Sequence, residues 1–236
     1  MEPDYLTTPC KVARRAAAVA LLLLTTPVWA GRPLTTEDAG EVLKVGQCEL
    51  ESYLARWRKP DLRYQWAQLS CGTGFDTQVA AGAGREHAGA EHITIAAFSG
   101  KTSLRKLTGE QAGIALAYAV LGGRHLDHMR HEASEIKAVL TVPHEQWLLH
   151  ANAGWVRTYA SGADKTIWAL ALERREAIAS VDLMCEMFGD DRASPFAQVA
   201  ARWTVIADRL FVDTSWGTQL NGKSNQQATV GLKLAF

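Results

Sequence analysis

Gln227-Ala228-Thr229-Val230-Gly231-Leu232-Lys233-Leu234-Ala235-Phe236 is the stretch that decides how the chain is read. Ala228, Val230, Leu232, Leu234 and Phe236 share one parity; Gln227, Thr229, Gly231, Lys233 and Ala235 share the other. A period of two held over this length is a β-strand with one apolar face. The apolar face runs out to an aromatic residue with no polar tail behind it. Two settings accept such a strand. One is the half-buried end of a soluble sandwich. The other is a closed barrel in lipid, where the apolar face meets acyl chains and the ring sits at the interface. Chain ends in water tend to fray, which makes the first setting the odder one.

With its terminal Phe on an alternating strand, the stretch resembles the closing strand of bacterial outer-membrane barrels. The other end of the chain points the same way. Lys11, Arg14 and Arg15 form a positive segment, Ala16 to Leu24 is apolar throughout, and Val28 and Ala30 are small residues at the positions a signal peptidase reads. The apolar run is too short to span a bilayer, so residues 1–30 read as a cleaved secretory signal peptide. The mature chain then starts at Gly31 and carries 22 basic and 23 acidic residues. That balance offers nothing to nucleic acid. No later stretch approaches the roughly 20 apolar residues of a membrane helix, so a membrane-spanning mature chain has to be a barrel.

Residues 31–46 are polar and read as a periplasmic lead-in, and residues 47–236 as the barrel. Twelve alternating segments separated by turn residues can be marked: Gln47–Trp57, Asp61–Cys71, Phe75–Gly84, Glu91–Leu104, Ala112–Leu121, Glu135–Val142, Trp147–Val156, Thr166–Glu173, Ile178–Phe188, Phe196–Val205, Leu210–Gln219 and Gln227–Phe236. An even number suits a bacterial barrel with both ends in the periplasm. The connections on the opposite side, above all Gly122–Ser134, are expected to be the longer outer loops. Trp147 and Trp155 fall on one face eight residues apart, about 20 Å at roughly 40° tilt, close to the apolar band of a barrel. Trp147, Trp155, Trp168, Trp203, Trp216 and Phe236 are expected at the membrane interfaces. A helix over Ala169 to Phe188 or Gln111 to Leu121 also fits the apolar spacing and composition, but strands are preferred.

Arg32-Pro33-Leu34-Thr35-Thr36-Glu37-Asp38-Ala39-Gly40, followed by Gly46-Gln47-Cys48-Glu49-Leu50-Glu51, resembles the start of the bacterial outer-membrane proteins named for the meta-pathway of phenol degradation. The resemblance implies a barrel with a transport role. It brings no catalytic residue with it, and the family name is no evidence that this chain handles phenol.

Charge in the hydrocarbon layer is costly, so charged strand residues are expected to face inward. The expected lumen carries Glu49, Glu51, Lys137, His150, Asn152, Glu173, Asp182, Glu186, Arg202, Asp213 and Lys233, joined by Gln68, His92 and Gln198. Six carboxylates against three cations make it net acidic, which suits a cation-preferring path or a plugged, hydrogen-bonded interior. His150 and Asn152 invite comparison with a Ser-His-Asn hydrolase, but no Ser stands in a recognisable motif and His150 points inward, so no enzyme is expected. His125, Asp127, His128, His131 and Glu132 have a spacing that could chelate a metal on a helix, yet read better as a solvated loop. Neither metal nor cofactor is expected.

Cys48 and Cys71 give the sharpest geometric expectation. A two-residue turn at Lys59-Pro60 sets a register in which opposed residue numbers sum to 119, and 48 and 71 are such a pair. An oxidising periplasm would link them, provided the site is a non-hydrogen-bonded pair, where side chains are closest. Cys185 is left on a lipid face. The sequence thus reads as an all-β, twelve-stranded antiparallel barrel of the bacterial outer membrane, a passive channel or transport component for small solutes. Its expected partners are membrane lipid, the barrel-assembly machinery and a small solute. The alternatives are a closed structural or interaction barrel, and a soluble periplasmic β-protein that binds an apolar ligand.

Overall fold

The computed structural model describes residues 34–40, 42–59, 61–89, 91–125, 128–221 and 225–236. The signal peptide and residues 31–33 of the lead-in lie outside these. Twelve strands follow in order: β1 Cys48–Trp57, β2 Leu62–Gly74, β3 Thr77–Ala88, β4 Glu91–Arg105, β5 Gly113–His125, β6 His128–His144, β7 Trp147–Thr158, β8 Ala163–Ile178, β9 Val181–Asp190, β10 Phe196–Ile206, β11 Leu210–Gln219 and β12 Gln226–Ala235. Each pairs antiparallel with its neighbours in sequence, and β12 pairs with β1, closing the sheet. Closure removes the two exposed edges that an open sheet would present. The two stretches that also suited a helix are strands β5, β8 and β9. In β8 and β9 this turns Glu173 and Glu186 inward, while Leu170, Leu172, Leu183 and Met187 are exposed outside.

The outside is apolar. Leu50, Leu54, Phe98, Val120, Leu170 and Leu232 are among its exposed side chains. Phe236 lies at one end of the barrel, here called the near end, with Trp147 and Trp203 on the same side. Trp155, Trp168 and Trp216 stand in the far half. Trp147, Trp155, Trp203, Trp216 and Phe236 are exposed on the outer face, and Trp168 lies half-buried beside Gly189.

The far-end connections differ from the expectation of long loops. Gly122–Ser134 is almost entirely paired: Gly122 opposes His131, Arg124 opposes Met129, and His125 opposes His128. Only residues 126–127 separate β5 from β6. Above the lipid both faces of a hairpin meet water, so pairing continues there without the hydrophobic alternation that marks a strand in sequence. His128, His131 and Glu132 are therefore strand residues. The His131 ring lies 4.0 Å from the Tyr159 ring and its Nε2 is 3.0 Å from the Ser134 hydroxyl.

A second difference is the facing of β4. His92 is exposed outside, beside His87, rather than in the lumen. Ile95 is the residue that turns in, packing with Tyr64, Trp66, Ala119 and Leu121. Apolar packing inside this part of the barrel outweighs the rule that polar residues point inward. Trp66 lies so close over β3 that a Cβ on Gly82 would collide with its ring. Glycine is the residue that fits under the ring.

Strands β1 and β2 adopt the register in which residue numbers sum to 119, with Cys48 opposite Cys71 and Glu49 opposite Ser70. Cys48 gives its backbone N–H to the Phe236 carbonyl at 2.8 Å and accepts from the Phe236 N–H at 2.9 Å. Both backbone groups of Cys48 thus point toward β12, which makes its pairing with Cys71 the non-hydrogen-bonded kind. The two sulfurs form a disulfide across Cα atoms 4.2 Å apart. Cys185 is free and exposed on the outer face. Non-reducing peptide mapping of the mature protein is expected to return a single Cys48–Cys71 linked peptide. A link from Cys185 to either partner would be incompatible with this strand order.

Candidate functional site in the lumen

The segment read as a periplasmic lead-in is not outside the barrel. Leu34, Thr36, Glu37, Asp38 and Ala39 are buried within it. Traced back from the near end of β1, the chain turns inward past Gly72, where a Cβ would strike the carbonyls of Leu43 and Lys44. Only glycine permits that approach. The Leu43 N–H then donates to Gln78 at 3.0 Å. From there the segment crosses the lumen from the β3–β5 wall to the β9–β10 wall.

Each step of the crossing is held by inward side chains. The Ala39 N–H donates to the Thr141 hydroxyl at 2.9 Å, and that hydroxyl donates to Asp38 Oδ1 at 2.8 Å. The amide of Asn152 grips Glu37 as a neighbouring strand would: its Oδ1 accepts from the Glu37 N–H at 2.6 Å and its Nδ2 donates to the Glu37 carbonyl at 3.1 Å. Glu186 accepts from the backbone N–H groups of Thr35 and Thr36 at 2.8 and 2.9 Å, from the Thr36 hydroxyl, and from Gln198. Leu34 ends the crossing against Ala171, Met184 and Ala200. A segment crossing a polar lumen must find partners for its backbone groups, and these side chains supply them.

The crossing is also charged. Glu37 stands between Lys101 Nζ at 3.3 Å and Lys137 Nζ at 3.8 Å, and Lys137 pairs with Glu135 at 2.8 Å. His150 lies between Thr141, 3.0 Å from its Nδ1, and Glu173, 3.2 Å from its Nε2, with Asp38 3.7 Å away. The single Thr141 proton is given to Asp38, so Nδ1 must donate to Thr141. Nε2 faces the Glu173 carboxyl on the other side, so the ring is held between two acidic side chains. This Thr-His-Glu row has the outline of a catalytic triad, but all three side chains are buried against the plug, and the hydroxyl is already committed on both sides.

The opposite wall carries the remaining expected residues. Arg202 forks onto Asp213 at 2.7 and 2.9 Å, Lys233 pairs with Glu49 at 2.8 Å, and Gln68 donates to Glu51 at 3.0 Å. Glu49, Glu51, Lys137, His150, Asn152, Glu173, Glu186, Arg202, Asp213 and Lys233 are all buried on the inner face. Asp182 is different. It is partly exposed and accepts the Glu176 N–H at 2.7 Å, capping the near-end turn between β8 and β9. Its parity is inward, but it sits at a rim.

The plug divides the space within the barrel. On the near side a cavity of about 40 Å³ is lined by Glu49, Gln68, Ser70, Gln78, Ser99 and Lys101. On the far side a cavity of about 120 Å³ has Thr35, Lys137 and Asn152 in its floor and aromatic walls above. Glu135 and Lys137 border both chambers, and Glu37 lines the near one. Sequence reasoning missed Glu37, Asp38, Lys101, Glu135 and Thr141. Strand parity could have offered Lys101 and Thr141, but nothing in the periodicity of Leu34–Gly40 signals a segment inside a barrel.

Asn152→Ala leaves the Glu37 N–H and carbonyl without partners in a buried setting, a loss of about 1–3 kcal/mol locally. Amide hydrogen exchange at Glu37 is expected to accelerate roughly tenfold or more, while protection in β1–β12 stays as it was. Unchanged exchange at Glu37 would show that the plug is not held by Asn152.

The likeness to solved structures is one of architecture. The barrel superposes on the KdgM porin with a TM-score of 0.64 at 6% identity, over 80% of this chain and 99% of that one. The NanC porin gives 0.59 at 6% identity over 78% and 98%. The outer membrane phospholipase A from Escherichia coli gives 0.50 at 9% identity over 88% and 98%. Both porins and an enzyme thus share the architecture, and at such identities the likeness is to the fold alone. Comparison with curated proteins gives no match. A family model, by contrast, matches residues 18–236, the whole barrel and its plug, and the chain belongs to the family described as uncharacterised conserved protein UCP029691.

Proposed function

We propose that this barrel sits in the bacterial outer membrane as a passive channel for small solutes, closed at rest by its own N-terminal segment. The observation that carries the reading is the pair of lumenal chambers parted by residues 34–40, inside a barrel whose outer face is apolar. The plug is fastened almost wholly by hydrogen bonds and ion pairs. Such bonds exchange for bonds to water at a net cost of about 0.5–1.5 kcal/mol each, or about 1.5–3 kcal/mol where a charged group takes part. A segment fastened this way can leave a wet lumen far more readily than a core of packed apolar residues could.

Among the described residues outside the plug, eight buried carboxylate side chains face five buried Lys and Arg. A path with that excess favours cations. One solved KdgM structure is a complex with oligogalacturonate; an acidic lumen is poorly suited to such a polyanion. A catalytic role is not proposed, since His150 and Asn152 are occupied by the plug and its anchors. The resemblance of Arg32–Glu51 to the phenol meta-pathway family is compatible with transport and contributes no residue role.

In planar bilayers the intact mature protein is expected to conduct little. Deleting residues 34–40 is expected to raise conductance severalfold with a cation-selective reversal potential. In that opened barrel, Glu173→Gln with Glu186→Gln should move the reversal potential toward zero, whereas Asp182→Asn at the rim should not. An equally silent deletion variant, correctly inserted, would favour the closed structural barrel instead.

The Phe236 N–H and carbonyl bond to Cys48 at the seam, with the ring turned outward. Recognition by the barrel-assembly machinery is proposed to read this residue. Deleting Phe236 should lower the amount recovered in outer-membrane fractions while export continues. Full recovery would argue against that role.

A further inference from the structure

The far chamber differs from the rest of the lumen. Its walls are Trp57, Leu121, Val156, Ile167, Phe188 and Phe196. Trp57 meets Phe196 edge-on at 5.6 Å between centroids, and Phe188 stacks on Phe196 at 5.6 Å. The charges at its border are matched, Lys165 with Asp190 at 2.7 Å and Lys137 with Glu135 at 2.8 Å. Hydroxyl groups are supplied by Thr35, Thr158 and Ser194.

From this geometry we infer that the far chamber is a binding site for a small uncharged molecule with a single ring-sized apolar body and a hydroxyl head. Three observations fix the class. The cavity of about 120 Å³ approaches the size of engineered cavities of about 150 Å³ that hold benzene, so one ring fits and two do not. Aromatic walls favour a flat or compact apolar body through edge and stacking contacts. The local charges are already paired, so an ionised ligand would enter an apolar space without a counter-charge of its own. Few well-placed polar groups in an otherwise apolar cleft is the common form of a small-molecule site. The inference rests on the channel reading, in which this chamber lies on the solute path ahead of the plug.

Benzyl alcohol and benzoate are suitable probes, because they share a ring and differ in charge. Calorimetric titration of the full mature protein in detergent, with detergent-only heats subtracted, should show saturable binding of benzyl alcohol and at least tenfold weaker binding of benzoate. Ala169→Phe, which fills the chamber, should abolish binding. Trp57→Ala, which removes one wall without filling space, should weaken it severalfold. Each variant is first checked for heat-modifiable migration on gels. Equal heats for wild type and both variants, or equal affinity for the two probes, would overturn the inference. Binding without conductance after deletion of residues 34–40 would sink the channel and leave the site. Conductance without saturable binding would do the reverse.

Discussion

In a hydrocarbon layer no water is available to satisfy a peptide group, and closing β12 onto β1 is what meets that constraint here. The rest follows from closure. Twelve strands enclose a space too wide for their own side chains to fill with apolar contacts alone. Inward carboxylates and cations fill part of it by pairing across strands, as Arg202 and Asp213 or Lys233 and Glu49 do. The remainder is crossed by the chain segment that precedes β1. The seam where closure happens is reinforced at one residue: Cys48 bonds through its backbone to β12 and through its sulfur to β2.

The lumen has two characters along its length. Near the plug it is a dense polar network in which almost every acid has a base or a hydrogen-bond donor. Toward the far end it becomes aromatic, with Tyr53 stacked on Tyr64 and Tyr64 on Trp66. The polar part gives specificity of position at little net stability, because desolvating the charges offsets much of their attraction. The aromatic part contributes the apolar burial that a membrane barrel cannot gain from its outer surface.

Much of this was legible in the sequence, for a definite reason. Where one face meets lipid and the other does not, the period-two pattern is strict, and strand number and seam strand can be read from it; the β1–β2 register follows from the tight turn at Lys59-Pro60. The pattern loses force where its physical cause is absent. Above the membrane both faces are wet, so β5 and β6 run on through Gly122–Ser134 looking like a loop. In β4 both faces carry apolar residues around Ile93 to Phe98, and the inward Ile95 packs with Trp66 from another strand. The plug was out of reach altogether. Leu34–Gly40 has no period, because it belongs to no strand, and its bonds to the barrel go to residues 63 to 151 positions away, with Lys101 the nearest and Glu186 the farthest.

The plug's attachments also bear on the order in which the molecule can be completed. The segment lies ahead of the first strand, yet its partners sit on β4, β6, β7, β9 and β10. It cannot dock on a half-built sheet. Until the seventh strand is in place, Asp38 and Glu37 have only some of their contacts, and until the tenth is, Glu186 lacks Gln198. Docking of residues 34–40 is thus a report on assembly. A barrel missing a strand, or one that has slipped its register by a single residue, would display the same amino-terminal segment loose and open to proteases, marked as unfinished by its own first residues.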